Sequence, residues 1–406
     1  MTGSVDLAGC PWLGYDYGPS LLPREQPGSL TLWRYRELLP VPDGPVRYPV
    51  PIGGTPLLPA PALRQRLGAP RLWIKDETRG PTASNKDRAT ALVIEDGLRR
   101  GVGTITTAST DNAAVTTAFG AAAAGMRAVI FVSTACQPEK LALMTQAGAW
   151  VFQVPEGYAA AVDLSRAAAR AFGWLDRNTG ANPYTIEAKK TVALEVWEQL
   201  GRRVPDVMVV PVGDGPTLVA LEKGFAELVS CGLADRRPRL VGVQAERCQP
   251  LTRAWLGAPA GPAELDPAAT VADGIAVVRP AIGDAGLEAV RRGGGGMVAV
   301  SDDQLLGAVA SLARRAGRGR RACRGGGPGR AGAGHRGRAG GPVGDGGAAG
   351  HRPGGEGGRG AGRPGPGRGR GAARRGRADA GGRSLTVTRP SAAARRIAPA
   401  RPRVGG

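Results

Sequence analysis

The sequence predicts an α/β protein built on doubly wound, open parallel sheets, and three observations support this fold class. Short apolar runs rich in β-branched residues alternate with longer helical patterns between about residues 71 and 244. The runs are apolar throughout, which is typical of strands covered by helices on both faces of a parallel sheet. Residues 1–315 are long enough for roughly two domains with a well-buried interior.

The individual elements follow in chain order. Apolar runs predict strands over residues 71–75, 104–108, 128–132, 150–154, 206–212 and 240–244. Helical patterns predict helices over 113–124, 138–147 and 158–172, and from about residue 217. Helical spacing predicts a buried stripe on each of two helices: Ala193, Val196, Trp197 and Leu200, then Leu218, Leu221, Phe225 and Leu228. The Pro/Ala-rich run 257–269 predicts a surface loop.

The positive charge is concentrated at one end of the chain. The 406 residues carry a formal net charge of +20, which by itself favours a nucleic-acid or membrane partner. Residues 316–406 account for +18 of this charge, with 21 Arg, no Lys, 30 Gly and only five large aliphatic side chains. So few apolar side chains cannot offset the entropy of ordering the backbone, which predicts a disordered tail. Residues 1–315 carry only +2.

Composition also excludes several kinds of site. Cys10, Cys136, Cys231 and Cys248 form no C-x-x-C pair and have no nearby histidine, so we predict reduced thiols and no metal site. Both histidines lie in the tail, which excludes a Ser-His-Asp or Cys-His mechanism unless the tail folds back. The chain has no run of 18 apolar residues and no leader-like start, which predicts a cytoplasmic protein without a membrane span.

Lys86 is the leading candidate for a catalytic residue. It begins a helical pattern after the strand predicted over 71–75, in the run Glu77-Thr-Arg-Gly-Pro-Thr-Ala-Ser-Asn-Lys86-Asp-Arg-Ala89. A lysine fixed in the first turn of a helix can act as a nucleophile toward a carbonyl cofactor. The run resembles the attachment motif N-P-T-G-S-F-K-D-R-G of the pyridoxal-phosphate-dependent fold-type II family, from which Gly80, Ala83 and Asn85 depart. Taken alone, such a lysine is more often a surface residue.

A second candidate loop joins a predicted strand to a predicted helix. Ser109, Thr110, Asp111 and Asn112 resemble the S-x-G-N loop of the same family, which holds the substrate carboxylate with backbone N–H groups while its asparagine faces the cofactor. Judged from the residues alone, the loop is equally an ordinary helix cap. Asp111 replaces the family's glycine, and its carboxylate would repel that of the substrate.

A third candidate loop is rich in glycine. Gly213, Asp214, Gly215, Pro216 and Thr217 again join a strand to a helix, and they resemble the family's loop for the cofactor phosphate. Glycines let the backbone approach an anion closely, proline suits the first turn of a helix, and threonine adds a hydroxyl donor. The loop matches neither the dinucleotide fingerprint nor the P-loop.

Further matches resemble the threonine synthase branch of this family. They include 184–195, which is similar to the pattern E-G-x-K-T-x-x-x-E, together with 32–39, 53–57 and 270–275, so the resemblance covers about 33–313. It implies two doubly wound domains, the smaller one, about 100–190, inserted in a larger one that starts within 1–70 and continues over 71–315. It also implies pyridoxal 5'-phosphate, bound to Lys86 as a Schiff base.

The same resemblance implies a small amino-acid substrate and is compatible with a homodimer. In the threonine synthase branch, O-phosphohomoserine and water give threonine and phosphate. Arg88 and Lys190 are candidates for binding the substrate phosphate, but either is equally a partner in an ion pair. Threonine or serine dehydratases and β-replacement enzymes share the lysine and the phosphate loop, so these reactions stay open as alternatives.

The tail departs from the family pattern. Family members continue after the equivalent of Ala313 with a buried sheet-and-helix segment, whereas this chain continues with Arg, Gly, Ala and Pro. A reading-frame slip near Gly317 in a GC-rich gene would produce such a run and would leave an impaired or inactive enzyme. The competing interpretation is a nucleic-acid-binding arm, which we regard as the weaker one because the run has no aromatic residue for base stacking.

Overall fold

The computed structural model describes residues 30–258, 270–316 and 386–388. The first described segment contains a 3₁₀ helix, Leu32–Leu38, and two short antiparallel strands, β1 (Leu57–Pro59) and β2 (Trp73–Lys75), which are joined by α1 (Pro61–Leu67). After β2 the chain forms a short 3₁₀ turn at Glu77–Arg79 and then enters α2 (Lys86–Arg99).

A five-stranded sheet follows, with the strand order β10-β5-β4-β3-β6. Four strands are parallel: β3 (Thr104–Ala108), β4 (Arg127–Ser133), β5 (Trp150–Val154) and β6 (Leu175–Asp176). The helices α3 (Asn112–Ala123), α4 (Pro138–Gln146) and α5 (Tyr158–Phe172) connect them. The last strand, β10 (Thr386–Thr388), pairs antiparallel with β5.

A second sheet has three parallel strands in the order β7-β8-β9. The strands are β7 (Val207–Pro211), β8 (Arg239–Ala245) and β9 (Gly296–Val300). Five helices accompany this sheet: α6 (Tyr184–Gln199), α7 (Pro216–Ser230), α8 (Pro250–Trp255), α9 (Gly283–Arg292) and α10 (Asp302–Ala316). The helices α6 and α7 pack closely because Gly224 has no side chain. A Cβ at that position would lie 2.8 Å from the Cβ of Ala193.

The predicted α/β class with parallel sheets is confirmed. The strands expected over 104–108 and 150–154 and the helix expected over 158–172 have the predicted bounds, and the other assigned elements differ by one or two residues. The stripe on α7 is fully buried, and Ala193, Val196 and Trp197 are buried on α6. The elements β1, β6, β9, β10, α1, α8, α9 and α10 were not predicted from the sequence.

Two cores hold these elements together. The first surrounds α2, α3 and the five-stranded sheet, with Ile94, Ile105 and Ile130 at its centre. The second lies between α6, α7 and the three-stranded sheet, with Phe225, Leu221 and Leu240 at its centre.

Two sequence predictions concern regions that the structure describes only in part. The disorder predicted for 316–406 lies outside the described residues, except that Ala316 ends α10 and 386–388 form β10. Most of the loop predicted over 257–269 also lies outside them. Within the described ranges, no helix combines the length and the apolar character that crossing a bilayer requires.

Candidate active site

The three candidate loops all follow strands. The 109–112 and 213–217 loops leave the carboxyl ends of the parallel strands β3 and β7, where open α/β sheets usually bind ligands, whereas β2 belongs to an antiparallel pair. Lys86 follows β2 through the 3₁₀ turn, the 109–112 loop follows β3, and the 213–217 loop follows β7. The chain leaves β6 at the same edge as β3, and the Arg177 N–H donates to the Thr106 carbonyl at 2.9 Å. Asn178 ties the segment after β6 to the end of β3, directly before the 109–112 loop, because its Oδ1 accepts from the Ala108 N–H at 2.8 Å.

Lys86 is held at the first position of α2 by its neighbours. Its backbone N–H donates to Ser84 Oγ at 3.2 Å, and its Nζ donates to Asn85 Oδ1 at 3.3 Å. Asp87 fixes the preceding turn, since its carboxylate accepts from the Thr82 N–H at 3.1 Å and from the Thr82 hydroxyl at 2.6 Å. Ala83 has φ of 55°, a left-handed conformation that favours glycine. The backbone therefore keeps the shape of a glycine turn although the residue is alanine.

The carboxylate of Asp111 is paired. It lies at the N-terminus of α3 without capping the helix, and its Oδ1 accepts from Lys140 Nζ. Lys140 also donates to Asp273 Oδ2 at 3.3 Å, so one lysine joins the 109–112 loop to the 270–275 segment. The charge that the sequence suggested would repel a substrate carboxylate is thus compensated by Lys140.

The glycine-rich loop is shaped by close contacts. A Cβ on Gly213 would lie 3.1 Å from Ile275 Cα, and Gly215 has φ of 93° at the N-cap of α7. Substituting either glycine would therefore disturb the loop. Pro216 occupies the first turn of α7, a fifteen-residue helix whose N-terminal N–H groups and dipole suit a phosphate. Thr217 follows it.

Asp214 connects this loop electrostatically to Lys86. Its Oδ1 accepts from the Ala281 N–H at 2.5 Å. Burial raises the pKa of Asp214, and this hydrogen bond and the positive charges of Lys189 and Lys86 oppose the rise. Both lysines therefore lie within electrostatic range of the glycine-rich loop.

Lys189 is a buried cation in the same region. Its side chain is 2% exposed, and Nζ has no hydrogen-bond partner among the described residues. Burial lowers the pKa of Lys189 well below its ordinary value, as do the nearby charges of Lys86 and Arg177, while Asp214 acts in the opposite direction.

The two cations suggested for a substrate phosphate are both engaged by carboxylates. Arg88 is fully buried, and its guanidinium donates to Glu195 at 2.5 and 2.8 Å and to Glu77 at 2.8 Å. Lys190 is also fully buried, and its Nζ lies 2.6 Å from Glu187 and 2.8 Å from Glu227. In this structure both side chains join helices through ion pairs.

Comparisons with known proteins agree with this arrangement. Residues 49–328 match a family model described as pyridoxal-phosphate dependent enzyme. The chain belongs to this family. Threonine synthase of Methanosarcina acetivorans is 34% identical over 291 residues, which cover 71% of each chain. Threonine synthase of Mycobacterium leprae is 33% identical over 293 residues, 72% of this chain and 79% of the relative.

Solved structures of pyridoxal-phosphate enzymes share the fold. Maize serine racemase aligns with a TM-score of 0.55 at 19% identity, over 65% of this chain and 76% of that one. The processed form of threonine deaminase isoform 2 from Solanum lycopersicum aligns with a TM-score of 0.53 at 21% identity, over 64% of this chain and 73% of that one. The fold is therefore that of fold-type II pyridoxal-phosphate enzymes, and the family's cofactor is pyridoxal 5'-phosphate.

The residues present fit this cofactor. The N-terminus of α7 and its two sterically required glycines suit the phosphate, and the Lys86 amine lies in the same electrostatic region, where it can attach covalently to an aldehyde.

Sequence reasoning missed four residues of this region: Lys140, Arg177, Lys189 and Asp273. Lys189 lies in the run compared with E-G-x-K-T, but the comparison directed attention to Lys190. Arg177 follows the two-residue strand β6, which is too short to show an apolar pattern. The positions of Lys140 and Asp273 depend on contacts between distant segments, which no local pattern reveals.

Proposed function

We propose that this enzyme converts O-phosphohomoserine and water into threonine and phosphate, with Lys86 as the catalytic residue and the point of cofactor attachment. The observation that carries the proposal is the family match over residues 49–328, within which Lys86 begins α2 and the glycine-rich loop leads into α7. The threonine synthases at 33–34% identity support the choice of reaction.

Each loop has a distinct task in this proposal. The N–H groups of Gly213, Asp214 and Gly215 and the first turn of α7, with Pro216 and Thr217, hold the cofactor phosphate. Ser109, Thr110 and Asn112 hold the substrate carboxylate at the N-terminus of α3, where unpaired N–H groups and the helix dipole favour an anion. Asp111 contributes by fixing the loop through Lys140.

Lys86 carries the proton transfers. When bound, the cofactor withdraws electrons from the substrate α carbon. With O-phosphohomoserine bound, the amine of Lys86 would take up protons from the α and β carbons and supply protons to the α and γ carbons, while phosphate leaves the γ carbon and the oxygen of water joins the β carbon. The sequence offers no histidine between residues 1 and 334 for this work.

We also propose the organisation that the resemblance implies. A smaller domain of about 100–190 is inserted in a larger one formed by the start of the chain and the region up to 315. It supplies β3 to β6 of the five-stranded sheet, to which β10 is added from residues 386–388, whereas β7 to β9 form a separate sheet. A homodimer and a cytoplasmic location belong to the same proposal, and size-exclusion chromatography and cell fractionation test them.

An amino-acid panel tests the reaction. The full chain, loaded with pyridoxal phosphate, is incubated with O-phospho-L-homoserine, L-threonine and L-serine while phosphate, threonine and 2-oxo acid are measured. We expect equal amounts of phosphate and threonine from O-phosphohomoserine. Formation of 2-oxo acid from threonine or serine, together with no phosphate release from O-phosphohomoserine, would instead favour a dehydratase.

A further inference from the structure

Lys189 and Arg177 are two fully buried cations that keep unused hydrogen-bond donors. Arg177 donates to two neutral hydroxyls, from Nε to Thr90 and from Nη1 to Thr179, both at 3.2 Å. Its Nη2 and the Nζ of Lys189 have no partner among the described residues. A buried cation without a paired anion is costly, so two of them in one region suggest that an anionic ligand completes the site.

The surroundings of Lys189 are positively charged on balance. The groups that act on its charge are Lys86 on α2, Arg177 after β6 and Asp214 before α7. Asp214 is already engaged by the Ala281 N–H. Asp87 and Asp176 act on the charge of Arg177, but Thr82 and Asn178 already donate hydrogen bonds to them. Among the described residues no carboxylate forms an ion pair with Lys189 or Arg177, whereas two carboxylates surround Lys190.

The position of Arg177 links this pair to the substrate side of the site. Arg177 and Asn178 follow β6 directly, and they bond to β3 through the Thr106 carbonyl and the Ala108 N–H. The proposed substrate loop, 109–112, begins at that point. The cofactor phosphate has its own cradle at the N-terminus of α7, so the unpaired cations are available to a second anion.

We propose that Lys189 and Arg177 form a subsite for a phosphate-class anion carried by the substrate side chain. The inference deepens the proposed function, on which it rests for the identity of the substrate. It assigns recognition of the substrate anion to α6 and the turn after β6. Arg88 and Lys190 instead stabilise the packing of helices through their ion pairs.

Calorimetric titration of inorganic phosphate into the full-chain holoenzyme tests the subsite without turnover. Lys189→Met removes the charge and keeps the length of the side chain, and Lys189→Arg keeps the charge. We expect Lys189→Met to weaken phosphate binding by about 10- to 100-fold, the effect of losing one hydrogen bond between charged groups. Lys189→Arg should retain binding, and the affinity for pyridoxal phosphate, read from its visible absorbance, should stay unchanged in both variants.

Three results would overturn the inference. Equal phosphate binding by wild type and Lys189→Met would remove Lys189 from any anion site. A loss of cofactor affinity in Lys189→Met would assign the cation to the cofactor phosphate instead. A lower melting temperature of Lys189→Met without phosphate would show a structural role, since removal of an unpaired buried cation should stabilise the fold. If phosphate binding depends on Lys189 while O-phosphohomoserine gives no threonine, the subsite holds and the proposed reaction fails.

Discussion

Two adjacent lysines on α6 lie in opposite kinds of buried environment. Lys190 points into a cluster that is closed by carboxylates, where Glu187 and Glu227 lie within 2.8 Å and Lys223 bridges the same two acids. Lys189 points into a region of Lys86, Arg177 and a single, already bonded Asp214. The difference separates a structural lysine from a ligand-binding one. Lys190, whose charge is compensated by carboxylates, stabilises the packing of helices, whereas Lys189, which has no carboxylate partner in the described part of the chain, is placed to bind an anionic ligand.

Lys86→Ala should have the largest effect. It removes both the amine that attaches the cofactor and the group that transfers protons. We expect turnover to fall by more than about 1000-fold. The assay is threonine formation from O-phosphohomoserine, with Lys189→Arg as the matched control, since it changes a lysine in the same cluster but retains the charge. Retention of wild-type turnover by Lys86→Ala would contradict the assignment.

Lys190→Met should destabilise the protein by about 3 kcal/mol, since it leaves buried carboxylates without their central partner. Chemical denaturation measures this free energy of unfolding. If Lys190→Met were as stable as the wild type, the ion pairs of Lys190 with Glu187 and Glu227 would not stabilise the fold.

Lys189→Met should act in the opposite direction and raise the free energy of unfolding of the cofactor-free protein by about 1–2 kcal/mol. The pKa of Lys189 is lowered in the folded state, so its cost is fully present below the folded pKa and disappears as the pH rises toward the unfolded value of 10.5. Denaturation curves at neutral pH and near pH 10 should therefore show a gain that shrinks with pH. A gain that grew with pH would contradict this account.

Glu195 forms a second buried group of ion pairs, with Arg88 and Lys75. Burial alone would raise the pKa of Glu195, but the charges and hydrogen bonds of Arg88 and Lys75 lower it to about 2. Because the folded pKa is below the unfolded value of 4.5, the stability from this carboxylate is present above pH 4.5 and is lost as the pH falls toward 2. Glu195→Gln should thus be less stable than wild type at pH 7, with a difference that narrows between pH 4.5 and 2. If the stability difference between Glu195→Gln and the wild type did not depend on pH, the ion pairs of Glu195 with Arg88 and Lys75 would not be its source.

The smallest effect is expected at the turn before Lys86. Ala83→Gly relieves a left-handed alanine, and this gain offsets the entropy that glycine adds to the unfolded chain, so stability should change by less than about 0.5 kcal/mol. Ala89→Gly, within α2, is the matched control and should cost about 1 kcal/mol. Equal losses for the two variants would mean that the turn does not require a left-handed residue.

The sequence predicted the fold best where strands are apolar on both faces. The buried strands β3 and β4 stood out for this reason, whereas the two-residue β6 carried too little pattern. The lysine and glycine loops were predictable because each is local. The pairing of Asp111 with Lys140 and the contrast between Lys189 and Lys190 were not, since they depend on which distant residues meet.

The two sheets also differ in how they are covered. Strand β4 is buried along all but its first residue, whereas Val209 on β7 and Val298 on β9 are 68% and 44% exposed. Register places both valines on the same face of the three-stranded sheet. The resemblance predicts a further buried segment after residue 313, where the sequence instead becomes rich in Arg and Gly. Translation of the gene in its other two frames tests whether a reading-frame slip replaced that segment.

Borohydride reduction of the full chain with pyridoxal phosphate, followed by mass spectrometry of tryptic peptides, tests the central claim most directly. Reduction makes the covalent link between a lysine and the cofactor permanent, so the modified position can be read. The account predicts the adduct on Lys86. An adduct on Lys189 or on any other lysine, with Lys86 unmodified, would contradict it.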